Sequence, residues 1–113
     1  MAGKKEELIA KYVETLKGLN VEVDEDLLKK VVDGLGPSIY NQDSSVVSCS
    51  DPNELKTVKE NFLIKKLGME DSAAWDHAIE EVCEQMGKSN RNKYRAVFYY
   101  LLVKKFGKEH IYA

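Results

Sequence analysis

Between Arg95 and Lys104 the chain runs for eight residues without a charge, "AVFYYLLV". This run constrains the fold more than any other feature. Val97, Phe98, Leu101 and Leu102 fall on one side of a helix, and Tyr99, Tyr100 and Val103 carry the apolar surface round the cylinder. A helix that is apolar on most sides is buried on most sides. Eight residues are far fewer than the roughly 20 needed to cross a bilayer, so the run predicts a core helix and not a membrane anchor. A flank carrying Tyr99, Tyr100 and, from another helix, Ile64 would also suit self-association, because tyrosine has an apolar body and a polar tip.

The other helices must wrap this one. Leu8, Ile9, Tyr12, Val13 and Leu16 form one helical stripe, ended at Gly18, with Leu19 packing back. Asp24, Glu25 and Asp26 place carboxylates at the start of a second helix, whose stripe is Leu27, Leu28, Val31, Val32 and Leu35. "GLGP" closes it, and residues 37–42 read as one further helical turn. Residues 43–50 read as loop. Asp51, Pro52 and Glu54 then start a third helix, with Asp51 as cap and Pro52 at the first position. Its stripe is Leu55, Val58, Phe62 and Leu63; Ile64 falls off the stripe, which predicts contacts on two sides. Gly68 stops it. The fourth helix starts near Asp71 or Ser72, carries Trp75, Ala78, Ile79, Val82, Cys83 and Met86 at helical spacing, and ends at Gly87. Ser89 reads as the cap of the last helix, so a very short link makes the last two helices an antiparallel hairpin. No strand-like alternation and no repeat is present.

The predicted fold is therefore all-α: a compact bundle of about five helices, with a short turn after Pro37, around a largely buried C-terminal helix. Residues 1–113 read as a single helical domain. With 43% apolar and 32% charged residues, the composition suits a globular chain that needs no disulfide or metal staple. Two cysteines make no disulfide framework, and the N-terminus lacks a signal-peptide core, so the expectation is a reduced, cytoplasmic protein.

The strings "GPSIYN", "SCSD", "NFLIKKLG" and "NRNKYRAVFYYLLVKKFGK" resemble the small bacterial family known as domain of unknown function 2853. The resemblance runs from about the first helix to the tail. It implies a small, all-helical bacterial protein. It implies no activity, so no catalytic residue is carried over from it.

Charge narrows the functional readings. Residues 88–108 hold seven cationic side chains and no anionic one, and residues 70–84 hold six anionic and no cationic. In an antiparallel hairpin centred near Lys88, facing residues sum to about 175. Glu84 would then lie level with Arg91, Glu80 with Arg95 and Asp71 with Lys104. The basic charge is thus matched within the chain, and a net charge of −2 adds no pull towards nucleic acid.

Three functions are weighed. The first is a non-enzymatic protein–protein interaction or structural module, acting as a homo-oligomer through Tyr99, Tyr100 and Ile64. The second is an anion or nucleic-acid binder at the start of the last helix, using Ser89, Arg91, Lys93 and Arg95 around free backbone N–H groups. The third is an enzyme using Cys49 in the 43–51 loop, where a helix start favours a thiolate but Asp51 opposes it. Cys83, on an apolar stripe, reads as core. His77, Glu80, Glu81 and Glu84 share a face, but no second ligand cluster completes a metal site. The first reading is preferred, with no cofactor, no metal and no membrane partner.

Overall fold

The computed structural model describes residues 3–41, 45–87 and 93–112, and the side chain of Ser38 is not among them. The architecture is all-α. Helix α1 (Lys4–Gly18), α2 (Glu25–Leu35), α3 (Pro52–Val58, continued by a wider π-helical turn over Lys59–Lys66), α4 (Ala74–Gln85) and α5 (Arg95–Phe106) follow in order. Short 3-10 turns span Gly36–Tyr40 and Glu109–Tyr112.

Helix α5 is the centre, as its sequence requires. Every residue from position 96 to 103 is buried, and α1, α2 and α4 all pack against it. Tyr100 is wholly buried, and its hydroxyl works in two directions. It donates to the Glu22 carbonyl at 2.9 Å and accepts from the Asp24 N–H at 2.8 Å. The central helix thereby fixes the entry to α2, where the Asp24 carboxylate accepts from the Leu27 N–H as a cap.

The helix ends follow their local chemistry. Helix α1 ends at Gly18 as predicted, and the chain then turns at Asn20, whose φ of 59° is left-handed. Val21 N–H donates to the Leu16 carbonyl and Asn20 N–H to that of Lys17, closing the last turn. Asp51 caps α3 by accepting from the Asn53 N–H at 3.0 Å. Before α4, the Ser72 hydroxyl accepts from the Ala74 N–H. Gly107, with φ 64°, ends α5 as predicted.

The π-helical turn has its cause in the apolar spacing. The buried residues on this helix are Val58, Phe62, Leu63 and Leu67. At the α-helical 100° per residue, Val58 and Leu67 would point to opposite sides. With i→i+5 bonding the winding is about 4.4 residues per turn, which brings the four onto one face. The Leu67 N–H indeed donates to the Phe62 carbonyl at 2.9 Å. Ile64 is left half-buried beside this face.

Several expectations are corrected. Helix α5 begins at Arg95, not at Ser89, because residues 93–95 are taken up by the 45–47 segment. Val46 and Tyr94 form an isolated antiparallel bridge, Val47 N–H donates to the Lys93 carbonyl at 2.8 Å, and Arg95 N–H to that of Ser45 at 2.7 Å. Tyr94 also lies against Tyr12, with ring centres 5.4 Å apart. The link between α4 and α5 is longer than predicted, and the register of the pair slides with it. Lys105 meets Glu81, and Trp75 sets an edge-on contact at 5.1 Å with Phe106. These partners lie roughly two to three turns from the levels predicted. Asp71, expected level with Lys104, shares Lys59 with Asp76, at 3.4 and 3.5 Å. The C-terminal residues are also more than a tail: Tyr112 is half-buried beside Gly34, under the Lys66 ammonium.

Candidate functional site

The residues with chemistry gather where the 45–51 segment meets the start of α5. Arg95 is its hub. Its guanidinium pairs with the Glu54 carboxylate, donates to the Tyr99 hydroxyl at 3.1 Å and donates to the Val46 carbonyl at 3.3 Å. One side chain thus joins α3, α5 and the preceding loop. Burial of the guanidinium opposes its charge, but Tyr99 and Glu54 outweigh that and raise its pKa. The sequence placed Glu54 as a local helix-start residue and Arg95 level with Glu80; their actual partnership across the fold has no local signature.

Lys93 is 5% exposed. Ser89 and Arg91, the other two members of the predicted anion site, lie outside the described residues. Of the predicted set, Lys93 is therefore buried and Arg95 half-buried in its contacts with Glu54, Tyr99 and Val46.

The tyrosines are covered by their own chain. Tyr100 is 0% exposed and Tyr99 only 9%. Tyr99 stacks on Phe62 with ring centres 4.0 Å apart and planes 15° apart. Together with its Arg95 bond, this makes Tyr99 a link between α5 and the π-helical part of α3 and not an outward flank.

The cysteines overturn one expectation outright. Cys49 and Cys83, 34 positions apart, are joined in a disulfide, with Cα atoms 6.0 Å apart. Cys83 does lie in the core, but neither is a free thiol. Closing a loop of this length limits the unfolded chain by about 4 kcal/mol in the chain-entropy account. The link straps the 45–51 segment to α4. Nothing in the spacing of the two cysteines could have indicated it, because the tertiary fold brings a loop residue onto α4. Such bonds persist in oxidising compartments and are transient in reducing ones, so the reading of a permanently reduced pair falls.

The disulfide lines an open cleft of about 240 Å³, with Ser50, Glu80 and Glu84. The acidic face of α4 is therefore divided. Glu80 and Glu84 border the cleft, while Glu81 binds Lys105, whose hydrogen bond holds the Glu81 carboxyl below its usual pKa. Among the described residues no group of three metal-ligating side chains converges, and no helix is long and apolar enough to cross a membrane.

A residue the sequence did not single out stands on the opposite account. Tyr40, at the end of the first 3-10 turn, is 48% exposed, and among the described residues it is the large hydrophobic side chain left in solvent. The Lys5–Asp33 ion pair that clips α1 to α2 lies within its electrostatic reach: the hydrogen bond to Asp33 raises the Lys5 pKa, and Tyr40 adds to the shift. No curated protein matches the chain. A family model described as "Protein of unknown function (DUF2853)" matches residues 11–110, nearly the whole chain, and the protein belongs to that family.

Proposed function

We propose that this is a small bacterial protein without catalytic activity, which works by contact with other protein surfaces and first of all with a second copy of itself. The observation that carries the reading is Tyr40. Tyrosine exposed beside charges of both signs is the composition of an interface anchor. Lys5 and Asp33 make the surroundings self-complementary: across a two-fold axis, the lysine of each copy can face the aspartate of the other. The alternatives have less support. Arg95, which an anion site would need, is held by Glu54, and Cys49 is half of a disulfide.

The test is a photo-crosslinking amino acid placed at position 40, with exposed Lys56 as the control position. A crosslinked species of twice the 12.8 kDa chain mass is expected from position 40 and not from position 56. Equal yields from both positions, or none from position 40 at high concentration, would end the self-association reading.

A further inference from the structure

The disulfide does more than connect two elements. Cys49 is half-buried, Cys83 is 5% exposed, and both border the same open cleft. A small thiol can therefore reach the bond from one side without unfolding the chain. Among the described residues, the bond joins the segment to α4, and a separate set of contacts joins it to the start of α5. Val47 is buried at 4% exposure, and two backbone hydrogen bonds, Val47 N–H to Lys93 and Arg95 N–H to Ser45, join the segment to the start of α5. The Arg95 guanidinium adds its bond to the Val46 carbonyl.

We propose that Cys49–Cys83 is a thiol–disulfide exchange site for a dithiol reductant entering by this cleft, and that its reduction releases the 45–51 segment from the start of α5. The reductant's first thiolate attacks the Cys49 sulfur, the more accessible of the two. The Cys49–Cys83 bond breaks, and Cys83 leaves as a thiolate that takes up a proton. The reductant's second thiolate then attacks its own sulfur in the mixed disulfide and closes its own disulfide. Cys49 leaves and is protonated in turn. The protein gains two electrons and two protons, and the dithiol is oxidised by the same number. The central helix itself does not depend on the bond, since its eight apolar residues are enclosed by α1, α2 and α4. Release is therefore local: it loosens the helix start and uncovers Val47. This inference rests on the disulfide and is independent of the Tyr40 surface.

The experiment is amide hydrogen exchange on the full chain, without denaturant, before and after treatment with millimolar dithiothreitol, with thiols counted by alkylation and mass. The oxidised protein should show no alkylation and the reduced protein two adducts. Exchange at the Val47 and Arg95 amides should rise at least tenfold on reduction, while Leu101 and Leu102 change less than twofold. A Cys49→Ser/Cys83→Ser double variant should match the reduced protein whether or not the reductant is present. Free thiols in the protein isolated without reductant, a bond that resists dithiothreitol until the chain is unfolded, unchanged exchange at Val47 and Arg95, or a uniform rise across α5 would each overturn the proposal.

Discussion

Tyr100 illustrates how far a single hydroxyl can organise this chain. Its ring is a core residue, yet its oxygen serves two backbone groups that would otherwise lose their partners at the α1–α2 junction. Tyr100→Phe removes both bonds while keeping the ring. The expected cost is about 1–3 kcal/mol, since a backbone donor and a backbone acceptor lose their partner at a part-buried junction. Tyr99→Phe, which loses one bond to an arginine that keeps Glu54, should cost less; urea denaturation of the two variants checks the order. Tyr12 adds a pH prediction. Burial first, then Tyr94 and Tyr40, pushes its hydroxyl up to about 12 from the ordinary 10.0. The folded state holds the proton more tightly than the unfolded one. Its stabilising effect is therefore complete below pH 10 and is lost as the pH rises from 10 towards 12, by about 2–3 kcal/mol. Unfolding curves across that range should flatten in Tyr12→Phe.

At the scale of elements, α3 shows the packing pattern setting the winding. The π-helical turn gathers Val58, Phe62, Leu63 and Leu67 on one side and leaves Ile64 half-buried. Leu63→Ala should cost about 2–5 kcal/mol as a fully buried truncation. Ile64→Ala, at the edge of the same face, should cost clearly less, although both remove a large aliphatic side chain. Equal losses in chemical denaturation would mean that the two residues share one environment, as a plain α-helix with contacts on two sides would have it. The sequence showed Ile64 off the stripe but not the reason, because a period of 3.6 was assumed where the buried positions call for a longer one. The start of α5 was misplaced for a related reason. Ser89 looks like a cap, but the backbone partners of residues 93–95 come from the 45–47 segment. Local propensity gave way to a tertiary pairing nearly fifty positions away.

At the scale of the molecule, the helices and the central place of α5 were legible because caps, glycines and apolar stripes are local signals. The site was much less legible. Arg95–Glu54 and Cys49–Cys83 join residues that are 41 and 34 positions apart, and neither pair leaves a mark in the spacing of its neighbours. Tyr40 carries no local sign of its exposure, for its neighbour Ile39 in the same 3-10 turn is buried. With Lys93 buried, Arg95 held by Glu54 and both tyrosines of the middle of α5 enclosed, Tyr40 is the surface feature on which the proposed contact depends. Light scattering over a range from micromolar to millimolar protein tests it most directly. The account predicts that the mass rises above 12.8 kDa towards twice that value, and that Tyr40→Ala stays at the single-chain mass with an unchanged helical spectrum. A wild-type protein that remains at the single-chain mass throughout, or a Tyr40→Ala variant that associates equally well, would contradict it.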